Sequence, residues 1–213
     1  MHHRRHRYVI AYLFGSLAAT ACHAGESPDE QSHAKKTAIV VETDLGDVHC
    51  TLFDDRAPNA VALITQLATG KRSFRTSDGA WRKGRYYDGL HFFRRVAGVM
   101  IQTGCPRNDG TGHPGFRIPA ELHDDDVTLL QKAGALVMAR YRTPPNREDP
   151  NPPPPDQVIG SQFAITLRPM AHLAGTLPVI GRCANLDVVQ KLSTMTAAPI
   201  LRHLRVEKLE PAD

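Results

Sequence analysis

Tyr87-Asp88-Gly89-Leu90-His91-Phe92-Phe93-Arg94-Arg95-Val96-Ala97-Gly98-Val99-Met100-Ile101-Gln102-Thr103-Gly104 is the stretch on which the fold turns. Two adjacent arginines, Arg94 and Arg95, interrupt an apolar run from His91 to Thr103 that stops at Gly104. Successive side chains of a strand face opposite sides, so only one of the two can serve a given face. A second block, Gly160-Ser161-Gln162-Phe163-Ala164-Ile165-Thr166, lies downstream.

Working outward, Thr37 to Thr43 is apolar and β-branched, and a second such run, Val48 to Phe53, follows Asp44-Leu45-Gly46-Asp47. Asp-x-Gly between two such runs predicts a hairpin. Pro58 suits a first helical turn, and Ala60, Ile64, Leu67 and Ala68 recur at helical spacing until Gly70, which predicts an amphipathic helix. Lys71 to Arg85 is polar and basic with one Trp, a surface loop. Beyond it come short apolar runs at 91–103, 134–139, 162–167, 178–183 and 200–209, punctuated by Gly and Pro, which argue for a β-barrel or sandwich. A short helix from Asn185 carries Val188, Val189 and Leu192. Gly104, Gly110, Gly112 and Gly115 mark a turn-rich loop, and residues 143–156 hold seven of the chain's sixteen prolines. So many prolines make a stiff segment that cannot join a sheet. We read 143–156 as a rigid surface insertion, with a partner-docking arm as the alternative.

The two quoted blocks resemble the core of the cyclophilin peptidyl-prolyl cis-trans isomerases, whose patterns run YDG, FHR, MIQGG and GSQFF in that order. The resemblance spans about Val40 to Leu192. It implies a mainly β fold, an eight-stranded antiparallel barrel closed by two α-helices, in one domain over 37–213. It also implies an isomerase acting on X-Pro bonds of proline-containing polypeptides without a cofactor, with a monomer expected. The register of Gly98, Met100, Gln102 and Gly104 against the family pattern puts Arg94, not Arg95, at the catalytic arginine. Gln102 matches the glutamine that orients arginine and substrate. Phe92, Met100, Phe163 and Leu173 match apolar positions in or beneath the substrate pocket, with Phe163 the one expected to be pure core. Met138-Ala139-Arg140 aligns with the edge that pairs with substrate, Arg140 departing from the family's Asn, and Gln162 matches the glutamine of GSQF.

Other departures fall on the pocket wall. Val99 and Ala164 stand where the family has Phe, Leu177 where many members have His, and His172 where the cyclosporin-binding type has Trp. Loss of two aromatic walls predicts a weaker grip on proline rather than altered chemistry. A proline-peptide binding module or chaperone of the same fold, with little turnover, is the rival reading.

The first residues, Met1 to Arg7, are basic, and Tyr8 to Ala21 is mostly apolar and too short to span a bilayer, the layout of an export signal. Residues 1–24 are read as that signal and 25–36 as a flexible linker. Cleavage after Ala24 would release a soluble protein, and cleavage before Cys22 would leave a lipid tether. Either places the mature chain in the periplasm or cell envelope. Residues 1–21 hold three arginines and no acid, so their removal takes the formal net charge from +4 to +1. No basic stripe with interleaved aromatics is present in sequence, which argues against nucleic-acid binding. Cys50, Cys105 and Cys183 remain, an odd number without C-x-x-C spacing, and the reading favours buried thiols over a bridge. His91, His113, His123 and His172 lack metal-ligand spacing, so no metal is expected. Ser161 lies outside a G-x-S-x-G elbow, and Asp124-Asp125-Asp126 reads as a solvated turn, with a loose cation site as the alternative.

Overall fold

The computed structural model describes residues 36–140 and 157–209. The leader 1–24, the linker up to residue 35 and the proline-rich segment 143–156 lie outside the described residues. Lys36 itself already opens the first strand, β1 (Lys36–Thr43), which turns into β2 (Gly46–Leu52) as the hairpin pattern predicted. Gly46 takes φ +120°, and the Thr43 hydroxyl closes the turn by donating to the Gly46 carbonyl at 2.7 Å.

Helix α1 (Pro58–Ala68) begins at the predicted proline and buries Ala60, Val61, Leu63, Ile64, Leu67 and Ala68. Its N-terminus has no local side-chain cap. The Glu121 carboxylate, about sixty residues away, instead accepts from the Asn59 and Ala60 amides at 2.9 and 3.0 Å. It satisfies two orphan donors and complements the positive end of the helix.

Next come β3 (Phe74–Arg75) and β4 (Trp81–Arg82), a small hairpin inside what the sequence presented as loop. The apolar run 91–103 is not one strand but two, β5 (Arg94–Val96) and β6 (Met100–Thr103), reversed at Gly98 with φ +68°. They are followed by β7 (Arg117–Pro119), a short helix α2 (Asp126–Leu130) that the pattern did not predict, β8 (Ala135–Arg140), β9 (Gln157–Thr166), β10 (Val179–Cys183), helix α3 (Leu186–Thr194) and β11 (Leu201–Leu209).

Eight strands form one antiparallel path, β11-β1-β2-β10-β8-β9-β6-β5, and β7 pairs with β9 off that path. The sheet curls until its ends meet. His91, ahead of β5, bridges Ile200, ahead of β11, and the Leu201 amide donates to the Leu90 carbonyl at 2.8 Å. This mainly β, eight-stranded arrangement with α1 and α3 packed on it is the expected architecture.

Alternation along the strands gives the sheet two apolar faces. Ile101, Leu136, Met138, Phe163 and Ile165 point into the large core with α1 and α3. Their neighbours Met100, Ala135, Val137 and Ala164 belong to a second, smaller cluster with Leu130 and Val179.

The expectation for the cysteines is overturned. Cys50 and Cys183 are not separate thiols but a disulfide with S–S 2.09 Å, and Cys105 is the buried free cysteine. The two are direct cross-strand partners of β2 and β10, strands separated by 133 residues in sequence. Spacing along the chain carries no information about a pairing that only barrel order creates. Closing so long a loop restricts the unfolded chain, an effect of about 3–5 kcal/mol. Reduction, or the pair Cys50→Ala and Cys183→Ala, should lower the urea midpoint accordingly. An unchanged midpoint would show that the bridge adds nothing to stability.

Candidate active site

The β5–β6 hairpin sets the site. Its register pairs Arg94 with Gln102 and Val96 with Met100, while Arg95 pairs with Ile101, which is fully buried in the large core. Cross-strand partners share a face, so Arg94 and Gln102 stand together on the outer one. Arg95 does not line the pocket and donates to the Phe92 carbonyl at 3.3 Å.

The row continues across the sheet, Gln102 to Ala164 and Ala164 to Val137. Above it opens a cavity of about 780 Å³ whose lining includes Arg94, Val99, Met100, Gln102, Ala139, Arg140, Ala164, His172, Leu173 and Leu177. Ten of the twelve residues singled out from sequence are thus brought together. The other two stand behind the wall. Phe92 is 1 % exposed and belongs to the large core, so its assignment to the substrate surface is corrected. Gln162 is buried and reaches the site only through Gln102. Phe163 is core, 1 % exposed.

Val96, Val137, Thr166, Met170 and Thr176 complete the lining and were not foreseen. Val96 and Thr166 lie two residues from Arg94 and Ala164, so strand period alone could have found them.

Hydrogen bonding fixes the orientation of Gln102. The Gln162 amide donates through Nε2 to the carbonyls of Gly110 and Gly112, at 3.1 and 2.7 Å. Carbonyls only accept, so its Oε1 must face Gln102, whose Nε2 donates to it at 3.0 Å. That leaves the Gln102 Oε1 as the acceptor end beside Arg94.

The glycine loop that supplies those carbonyls is itself fastened. The Cys105 thiol accepts from the Gly110 and Gly112 amides, each at 3.2 Å. Ser161 Oγ and the Tyr86 hydroxyl both donate to the Gly104 carbonyl, at 2.7 and 3.0 Å, and the Tyr87 hydroxyl donates to the Ser161 carbonyl at 3.0 Å. Burial pushes both tyrosine pKa values up, so these hydroxyls remain protonated donors. Gly104 sits at φ +90° against the Ser161 backbone, a position with no room for a Cβ.

Opposite Arg94 the wall is a single 3-10 turn, Ala171–Leu173, carrying His172 and Leu173. It is anchored to α2 by the Met170 amide donating to the Leu130 carbonyl at 2.7 Å. α2 in turn is fixed by Arg56, whose guanidinium binds Asp125 at 2.8 and 2.7 Å and Asp126 at 2.9 Å. Asp126 is fully buried, so the acidic run read as a solvated turn is instead a latch whose cation is Arg56. The Arg56 hydrogen bond holds the Asp125 carboxyl below its ordinary range, and the same pairing raises Arg56.

This barrel sets Arg94 beside the fixed Gln102 over a largely apolar cavity, with Arg140 also in the lining. The family model described as cyclophilin type peptidyl-prolyl cis-trans isomerase/CLD matches residues 38–210. A peptidyl-prolyl cis-trans isomerase of Synechococcus elongatus is 34% identical over 159 residues, covering 73% of this chain and 88% of that one. Isomerase B of Streptomyces anulatus is 29% identical, covering 78% and 87%. The chain belongs to the cyclophilin-type peptidyl-prolyl cis-trans isomerases, and its activity is that isomerisation. The fold matches a crystal structure of a Cryptosporidium parvum member with TM-score 0.62 at 20% identity, over 81% of this chain and 98% of that one. The same protein solved in the presence of the dipeptide Ala-Pro matches with TM-score 0.60 at 21% identity, over 80% and 98%.

The Arg56 latch has a pH signature. A depressed folded-state carboxyl contributes stability that is complete above the ordinary Asp value of about 3.9 and is lost as pH falls through the lower folded value. The stability gap between wild type and Arg56→Gln should therefore be full at neutral pH and shrink below about pH 4, as read by urea unfolding. A gap constant with pH would show that Arg56 acts by packing alone.

Proposed function

We propose that the protein rotates X-Pro bonds in polypeptides of the cell envelope, with Arg94 as the catalytic donor and Gln102 as its orienting partner. The observation that carries this reading is the direct β5–β6 pairing of Arg94 with Gln102 at the mouth of the apolar cavity.

An X-Pro bond resists rotation because of amide resonance, with a barrier near 18–20 kcal/mol. As the bond twists, the prolyl nitrogen becomes pyramidal and regains a lone pair that the planar amide lacks. A guanidinium aimed at that nitrogen meets an acceptor that exists chiefly in the transition state, the kind of interaction that accelerates rather than merely binds. Arg suits this role because its charge is permanent and its donors are rigidly planar. Oε1 of Gln102 is the acceptor that can hold the guanidinium in place, or receive a substrate amide. Met100, Ala164, Leu173 and Leu177 supply apolar surface for the proline ring. The Ala-Pro dipeptide in the Cryptosporidium structure supports proline-containing peptides as the substrate class.

Two observations support the envelope. The basic-then-apolar leader has the layout of an export signal. The Cys50–Cys183 disulfide is the chemistry of an oxidising compartment. Retention on the membrane through a lipidated Cys22 and release after Ala24 serve the same location.

A charge-assisted hydrogen bond contributes about 1.5–3 kcal/mol, so Arg94→Ala should lower kcat/KM on an X-Pro peptide roughly ten- to hundredfold. Arg95→Ala, facing the other way, should change it less than about threefold. Equal losses in both variants would remove the assignment of Arg94. Val99→Phe with Ala164→Phe restores the aromatic wall, and burying part of that surface should raise kcat/KM about tenfold. No gain would indicate that the protein works by holding prolyl segments rather than turning them.

A further inference from the structure

The basic segment 71–85, a loop in sequence, becomes in space one wall of a charged face. Its hairpin lies on the glycine-rich loop, with the Arg75 amide donating to the Pro114 carbonyl at 2.8 Å and the Trp81 indole stacked against Gly115. Arg72 covers the Phe116 ring at 4.2 Å. Arg107 comes from the same loop, and Arg117 opens β7 just beyond it. Burial, and with it the guanidiniums of Arg117, Arg75 and Arg107, push the His113 imidazole below its ordinary range.

In the hairpin and the adjoining loop and strand, Lys71, Arg72, Arg75, Arg82, Lys83, Arg85, Arg107 and Arg117 against Asp78, Asp88 and Asp109 sum to a formal net of +5, and Arg75, the cross-strand partner of Trp81, shares its side of the hairpin. All described residues together sum to +6, so nearly the whole net charge of the domain is gathered here. Asp78 engages Arg82 only at 3.9 Å, and Asp88 takes Arg85 at 3.0 Å. Among the described residues, Lys71, Arg72, Arg75 and Lys83 have no carboxylate partner. In the middle stands Trp81, 59 % exposed, where no other large exposed hydrophobic among the described residues exceeds 39 %.

We propose that this face docks on an anionic bilayer surface, its lysines and arginines against lipid headgroups and the Trp81 indole at the headgroup level. Cations such as Lys71, Arg72, Arg75 and Lys83, which have no carboxylate partner among the described residues, fit a diffuse negative surface. An exposed indole among them fits the interface, where tryptophan is favoured because one part of the ring is apolar and one polar. No residue of this face lines the catalytic cavity, so docking leaves the pocket open. The proposal does not depend on the isomerase reading.

Trp81 is the chain's single tryptophan, so its emission reports this face alone. The exported chain carrying Cys22→Ala, which removes any attached lipid as a source of binding, is mixed with vesicles of phosphatidylcholine and with vesicles that also contain phosphatidylglycerol. We expect sedimentation with the anionic vesicles only, a blue shift of Trp81 emission, and release at high salt. Each Lys or Arg near an anionic surface strengthens binding about fivefold, so Lys71→Gln, Arg75→Gln and Lys83→Gln combined should weaken it about a hundredfold. Unchanged turnover of an X-Pro peptide by that variant would show that it remains folded. Equal binding to neutral vesicles, or none to either, would overturn the proposal. Binding to soluble polyglutamate without vesicle association would overturn it in favour of an acidic polypeptide partner.

Discussion

The alternation of side chains along three neighbouring strands governs this molecule. β6, β9 and β8 pair in register, so Ile101, Ile165 and Leu136 fall in one inward row, while Gln102, Ala164 and Val137 fall in the adjacent outward row. A single sheet thereby carries the large core on one face and the floor of the cavity on the other. A slip of one residue in β6 would exchange Gln102 for Ile101 and lose both at once. Fold and site are therefore specified by the same register, and burial of the inner row protects the placement of the outer one.

Register brings Arg94 and Gln102 together, but it does not orient a side-chain amide. That is done from outside the sheet, by carbonyls of a loop whose conformation rests on Gly104 and on the buried hydroxyls of Tyr86, Tyr87 and Ser161. The logic runs one way. Two carbonyls accept from Gln162, which forces its oxygen toward Gln102, which forces the nitrogen of Gln102 inward and leaves its oxygen for the site. A donor-acceptor chain of this kind has one low-energy arrangement because every reversal would oppose two acceptors or two donors.

What the sequence made legible was local or carried by motif. Strand period put Arg94 and Arg95 on opposite faces and the resemblance to the family pattern chose Arg94, Pro58 announced α1, and Asp-x-Gly announced the first hairpin. What remained hidden was tertiary. The partner of Cys183 is fixed by β2 lying beside β10, the cap of α1 is a glutamate from another loop, and the five-residue α2 owes its place to Arg56. Phe92 was misplaced for a related reason. Its position in the motif is adjacent to the site, but its amide donates to the Pro199 carbonyl in the barrel closure, and its ring is in the large core. The basic face followed the same rule, since Arg107 and Arg117 reach it from a different part of the chain than Lys71 to Arg85. The window Lys71 to Arg85 already displays six of the eight cations, and what it does not display is that Arg107 and Arg117 join them.

In the proposed function, Arg94 and the pocket wall contribute to the reaction in different ways. A hydrogen bond to a nitrogen that becomes basic only on twisting acts on the transition state alone. Apolar contact with the proline ring is nearly the same in the planar and the twisted amide, so it binds both states alike. On the proposed reading, Val99 and Ala164 should therefore reduce uniform binding, raising KM and lowering kcat/KM while leaving kcat close to what Arg94 permits. An isomerase that holds its substrate lightly is less readily occupied by folded surface prolines and releases each chain sooner. If Arg94 and Gln102 act as proposed, the shallow wall shapes which prolines are turned, while that pair sets how fast a bound one turns.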